Sequence, residues 1–66
     1  MERFAIDDLV AFKTSPRGKQ YLVVGFTTNK IILSFNNEGR IEVDPIELLT
    51  AEETKNANEP LMPIIG

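Results

Sequence analysis

The fold of this chain is decided by residues 21–35, YLVVGFTTNKIILSF. Two apolar runs rich in β-branched and aromatic residues flank a short polar stretch, which is the pattern of a β-hairpin. In the second run the odd-numbered residues from Ile31 to Phe35 share one face, so we expect them to be buried. The first run alternates less clearly, and Gly25 marks the place where its strand is expected to bulge or bend.

Further β-prone runs lie on both sides of this hairpin. Residues 9–12 form an apolar run that ends before the turn sequence SPRG at 15–18, and a fourth run at residues 40–43 follows the turn sequence NNEG. Pro45 cannot donate to a sheet ladder, so it ends the fourth strand in a tight or 3₁₀ turn. A short fifth strand is then expected at residues 48–49. The sequence therefore predicts an all-β, antiparallel fold of five short strands.

The C-terminal part is expected to lie outside this β domain. Thr50 and Glu53 have the spacing of a capping box, which predicts a short helical turn that begins at Ala51. The apolar tail that follows contains two prolines, so an extended conformation is expected there. We therefore divide the chain into a β domain, residues 1–50, and a helical turn with an apolar C-terminal tail, residues 51–66.

Composition excludes several classes of function. The 66 residues include no cysteine and no histidine, so the chain has no disulfides, no thiolate chemistry and neither the commonest general base nor the commonest metal ligand. We expect a protein that is not an enzyme and that uses no cofactor, no metal and no small-molecule substrate. The apolar runs are shorter than the roughly 20 residues of a membrane span. A cytoplasmic protein without membrane contact is the expectation.

Two groups of motifs carry a resemblance to SH3-like barrels of the Tudor and KOW type. Residues 7–13, DDLVAFK, resemble the "GD-x-V-x-x-K" opening strand of these domains, without its glycine. Residues 19–26, KQYLVVGF, together with 31–35 and 46–49, are similar to the small uncharacterised bacterial YodC-like proteins. The resemblance covers about residues 7–50 and implies a small five-stranded SH3-like barrel. It implies no activity, because fold alone does not fix function.

One hypothesis for function rests on apolar residues outside the predicted barrel. If the odd-numbered residues of the hairpin fill the barrel, a contiguous apolar patch lies outside, formed by Leu22, Val24, Phe26 and Ile32. The patch has three possible covers: the chain's own tail, a second copy, or another protein. The preferred hypothesis is a non-catalytic protein-interaction module, an adaptor or inhibitor, that binds another protein or forms a homo-oligomer.

The alternative hypothesis is RNA or DNA binding through the loop Lys13–Tyr21. Lys13, Arg17 and Lys19 supply positive charge, and Tyr21 offers a ring for base stacking. Residues 1–37 contain five basic and three acidic residues, a net charge of +2, whereas residues 38–66 contain two basic and seven acidic residues, a net charge of −5. The acidic half repels phosphate, so nucleic acid is the second choice of partner.

The sequence favours neither of two further kinds of binding site. The five aromatic residues of so small a chain are assigned to its core rather than to a cage for methylated lysine. Glu42, Asp44 and Glu47 could bind a hard cation, but their spacing is not that of an EF-hand.

Overall fold

The computed structural model describes residues 3–35 and 39–59. Its strands form one antiparallel sheet in the order β1-β2-β3-β4. A 3₁₀ helix and an α-helix follow the last strand. The elements are β1 (Leu9–Val10), β2 (Tyr21–Phe26), β3 (Ile31–Phe35), β4 (Gly39–Val43), the 3₁₀ helix (Pro45–Glu47) and α1 (Ala51–Asn58). The protein is therefore mostly β, with one short C-terminal helix. The predicted extended tail lies outside the described residues.

The segment predicted as a fifth strand makes a single antiparallel bridge, between Leu48 and Phe12. This bridge is flanked by two backbone hydrogen bonds of 2.9 Å, from the N–H groups of Lys13 and Leu49 to the carbonyls of Glu47 and Ala11 respectively. The chain thus returns beside the continuation of β1. Across residues 3–35 and 39–59, however, the sheet remains open and no closed barrel is present.

A β-bulge divides β2. Val23 lies opposite Leu33, but the next residue opposite β3 is Gly25, which faces Ile32. Val24 is therefore the extra residue, directly before the glycine at which the sequence predicts a bulge. An extra residue in one strand shifts its inside–outside alternation by one position.

This shift changes the position of Phe26. Beyond the bulge, Phe26 lies opposite the buried Ile31 and packs against the core. A regular period-2 strand has no extra residue, and its alternation therefore predicted Phe26 on the outside. The expected outer patch therefore loses Phe26 and keeps Leu22, Val24 and Ile32.

The core is formed by one face of the sheet together with residues before β1 and after β4. Its buried members are Phe4, Val10, Val23, Ile31, Leu33, Val43 and Leu48. Phe12, Tyr21, Phe26 and Ile41 are partly buried against them. The alternation predicted for β3 is confirmed at Ile31 and Leu33, whereas Phe35 is only half-buried.

The chain enters β1 through a turn that contains Asp7. This residue has a φ of 76°, the left-handed region that glycine adopts most easily. Asp7 takes the position of the glycine in the "GD-x-V-x-x-K" motif that residues 7–13 resemble. The turn is held by the Asp7 N–H, which donates to the Val23 carbonyl at 2.8 Å, and by the Asp8 carboxylate, which accepts from the Ala5 N–H at 2.9 Å.

Helix α1 begins at the predicted capping box. The Thr50 hydroxyl accepts from the Glu53 N–H at 3.1 Å, and the Glu53 carboxylate accepts from the Thr50 N–H at 2.9 Å. Thr54 is 1% exposed, and its Oγ1 accepts a hydrogen bond from the Ala11 N–H at 3.1 Å. This contact docks the helix beside β1. None of the helices in the described parts of the chain has the length and apolar character needed to cross a membrane.

Candidate interaction surfaces

The side of the sheet opposite the core carries a strip of apolar residues, which we call the outer face. Its members are Leu9, Leu22, Val24 and Ile32. Leu9 lies directly opposite Leu22 in the β1–β2 pair, and both point away from the side of the buried Val10 and Val23. Leu22, Val24 and Ile32 are half-buried.

Ile32 covers the backbone of the bulge at Gly25. A Cβ built on Gly25 would lie 3.4 Å from Cδ1 of Ile32, which is ordinary van der Waals contact. The Ile32 side chain therefore lies over the glycine and joins the two strands of the outer face.

Leu9 is the residue of this face that sequence reasoning missed. Its side chain is 52% exposed, although leucine is a large apolar residue. The signal was present: once Val10 is assigned to the core, alternation sends its neighbour Leu9 to the other side. Ile6, 50% exposed, lies just before the Asp7 turn and adds a second exposed apolar side chain near the same strand edge.

The basic loop is tied to helix α1. Nε of Arg17 donates to the Ala57 carbonyl at 3.0 Å, and Nδ2 of Asn58 donates to the Pro16 carbonyl at 2.9 Å. One of the five N–H groups of the guanidinium that the nucleic-acid hypothesis assigns to phosphate therefore donates to the helix end.

The ring of Tyr21 is covered by side chains of the protein itself. Nζ of Lys19 lies 5.8 Å from the centroid of the Tyr21 ring and 5.2 Å from that of Phe35. Phe12 meets the Tyr21 ring edge-to-face with the centroids 5.4 Å apart. The structure thus brings Lys19 and Tyr21 together in a cation–π contact within the molecule.

An open groove of about 560 Å³ separates α1 from the start of β1. Asp7, Asp8 and Leu9 line it on the strand side, and Lys55 and Asn58 line it on the helix side. Leu9 belongs to both the groove and the outer face, so the two surfaces are continuous.

The acidic residues have structural contacts. Oδ1 of Asp44 accepts from the Ile46 N–H at 3.1 Å and so caps the 3₁₀ helix. Hydrogen bonds with Thr50, and more weakly the positive charges of Arg3 and Lys13, hold the pKa of the Glu53 carboxyl below its usual range. In the described ranges, no group of three or more potential metal ligands comes together.

Comparison of the chain with protein-family models, with curated proteins and with solved structures finds no match.

Proposed function

We propose that the protein is a non-catalytic protein-interaction module, an adaptor or inhibitor, that binds another protein through the outer face. The observation that carries this proposal is the exposure of Leu9, directly opposite Leu22 and on the same side of the sheet as Ile32. One exposed and three half-buried apolar side chains thus form a strip on the surface of a small domain, where a second protein can cover them.

Burial of this strip supplies the free energy of binding. Full burial of a leucine side chain contributes about 1.5–3 kcal/mol, so covering the exposed half of Leu9 contributes about 1 kcal/mol. Leu22, Val24 and Ile32 add their remaining exposed area. The groove beside Leu9 extends the surface toward α1, where Lys55 and the carboxylates of Asp7 and Asp8 offer a polar rim.

The test compares outer-face variants with an equally exposed apolar residue elsewhere. Leu9→Glu and Ile32→Glu place a charge on the outer face, whereas Ile46→Glu changes a side chain that is 71% exposed on the 3₁₀ helix. Proteins retained by the tagged wild-type chain are identified, purified and titrated against each variant.

We expect Leu9→Glu and Ile32→Glu each to weaken the partner's affinity at least about tenfold, and Ile46→Glu to leave it unchanged. Circular dichroism must show that all three variants fold. A partner that binds both outer-face variants as tightly as the wild type would contradict the proposal. Phe26→Glu serves as a stability control, because Phe26 packs against the core and its change is expected to unfold the domain.

Nucleic-acid binding through Lys13, Arg17, Lys19 and Tyr21 is the alternative, and the geometry gives it less support. Arg17 donates to the end of the helix, and Lys19 lies over the ring that a base would need. Contacts to phosphate weaken steeply with salt, whereas an apolar interface does not. A gel shift with RNA and DNA at low salt, repeated with Arg17→Ala, decides between the two.

We also propose a more specific fold than an open four-stranded sheet. We infer that the protein is an SH3-like barrel related to the YodC-like proteins, in which Leu48 and Leu49 form the fifth strand. The bridge between Leu48 and Phe12 supports this interpretation, because it places the returning chain beside β1. Cross-strand NOEs that connect residues 47–49 with residues 11–13 would establish the fifth strand beside β1, and their absence would leave the four-stranded sheet alone.

A further inference from the structure

Strand β4 lies at an edge of the sheet, and its sequence suits it to a second copy of itself. Its hydrogen-bonded neighbour is β3. Apart from the hydrogen bonds to β3, no backbone hydrogen bond among the described residues involves residues 39–43. An edge strand in this state presents N–H and carbonyl groups to an added strand.

The charges on β4 are complementary to those on the β4 strand of a second copy. Arg40 and Glu42 are exposed, and they lie opposite Ser34 and Ile32, on the same side of the sheet as the outer face. If two copies of β4 pair antiparallel about Ile41, Arg40 of each copy lies opposite Glu42 of the other. Opposite charges in directly facing cross-strand positions stabilise a sheet, and like charges destabilise it.

This complementarity selects one register. Among the pairings that keep both outer faces on the same side of the joined sheet, a pairing centred on Arg40 sets two arginines against each other, and one centred on Glu42 sets two glutamates against each other. The pairing centred on Ile41 has neither conflict within the strand.

We propose that β4 is a homodimerisation edge, where a second copy of the chain adds its own β4 antiparallel about a two-fold axis at Ile41. The two sheets then form one continuous sheet, with the Arg40–Glu42 pairs along the junction. The outer faces of the two copies lie side by side on this sheet. The proposal goes beyond the binding of another protein by the outer face and does not depend on it.

The test reverses the charges one at a time and then combines them. Sedimentation equilibrium of the wild type is expected to give twice the 7.4 kDa mass of the chain. Arg40→Glu and Glu42→Arg each set like charges opposite at both symmetric positions, so each is expected to raise the dimer Kd by about tenfold or more. An equimolar mixture of the two variants restores opposite pairs and is expected to recover the dimer.

The controls are Lys55→Glu and Glu52→Arg, which make the same charge changes at exposed positions of α1. They are expected to leave the dimer Kd unchanged. A wild type that stays monomeric up to about 1 mM overturns the proposal. So does a dimer that Arg40→Glu and Glu42→Arg do not weaken, or whose affinity does not return in the mixture.

The same measurement separates this proposal from that of the outer face. Edge pairing predicts that Leu9→Glu leaves the dimer Kd unchanged. A dimer that dissociates with Leu9→Glu but not with Arg40→Glu is joined through the outer face, which would refute pairing at β4.

Discussion

Asp7 carries a backbone conformation that costs free energy. A non-glycine residue in the left-handed region is disfavoured by about 1–2 kcal/mol, although aspartate tolerates it better than most. The Asp7 N–H still donates to the Val23 carbonyl, so the turn positions the entry to β1 despite this cost.

Asp7→Gly is expected to raise the free energy of unfolding by up to about 1 kcal/mol, because the relief of the left-handed strain exceeds the entropic cost of glycine. Asp7→Val is expected to lower it, since a β-branched residue tolerates a positive φ poorly. Urea unfolding followed by circular dichroism measures both changes.

Asp8→Gly is the matched control for this experiment. It makes the same substitution one residue later but removes the carboxylate that accepts from the Ala5 N–H, so a loss of stability is expected. If Asp7→Gly lowers the free energy of unfolding as much as Asp8→Gly does, the left-handed conformation of Asp7 does not destabilise the folded protein as we propose.

The N-terminus of α1 depends on a charged capping group. The pKa of Glu53 is lowered in the folded protein, chiefly by the backbone hydrogen bond from Thr50. A carboxyl with a lowered folded pKa contributes stability above its unfolded pKa, about 4.3 for glutamate, and that contribution is lost as the pH falls through the folded value.

We therefore expect the difference in unfolding free energy between the wild type and Glu53→Gln to be constant near neutral pH. It should shrink as the pH falls below about 4.3 toward the folded pKa. Thermal unfolding at a series of pH values from about 6 to 3 measures it. Glu52→Gln, which removes a neighbouring charge in the same turn, is the control. A difference between the wild type and Glu53→Gln that does not change with pH would contradict the role of the ionised carboxylate.

Because Val24 is the extra residue of the bulge in β2, its deletion does not change which side of the sheet its neighbours face. Deletion of Val24 leaves Val23 and Phe26 on the core side and Leu22 and Gly25 on the other, because the shortened strand alternates regularly. We expect this deletion variant to fold cooperatively, with some loss of stability, and to keep NOEs between Phe26 and Ile31.

Deletion of Ser34 is the comparison, because β3 has no extra residue. It would turn Phe35 to the opposite side and break the register with β4, so we expect this variant not to fold. If the two deletions are equally harmful, Val24 has a role beyond that of an extra residue.

At the scale of elements, much of the structure could be predicted from local patterns. The hairpin of β2 and β3, the end of β4 at Pro45 and the capping box at Thr50 all follow from short-range chemistry, and the structure confirms them. The position of Phe26 could not be predicted, because Gly25 allows a bulge but does not require one, and only a bulge turns Phe26 to the core side.

At the scale of the whole molecule, the buried hydroxyl of Thr54 connects the helix to the sheet. Thr54→Val keeps the shape of the side chain but removes the acceptor for the Ala11 N–H, so it is expected to cost about 1–3 kcal/mol. A chain of this length has a total stability of roughly 3–10 kcal/mol, so the loss would be a large fraction of it.

Urea unfolding of Thr54→Val measures this loss, and Thr54→Ser is the control, because serine keeps the hydroxyl and loses only a methyl group. We expect serine to retain most of the stability. Equal losses for valine and serine would mean that packing, rather than the hydrogen bond, holds the helix.

Contacts between distant parts of the chain account for what the sequence did not predict. Thr54 lies 43 positions from Ala11, and Arg17 lies 40 positions from Ala57. Neither pair has a local pattern, since both depend on where the helix docks.

The hydrogen bond from Ala11 to Thr54 also gives the molecule a natural reporter. The acceptor for this one buried amide belongs to the helix and not to the sheet, so its proton exchanges with deuterium only when α1 separates from β1 or the whole chain unfolds. The exchange rate of this proton, compared with that of a central strand amide such as Leu33, therefore gives the free energy of local helix release in the unmodified protein.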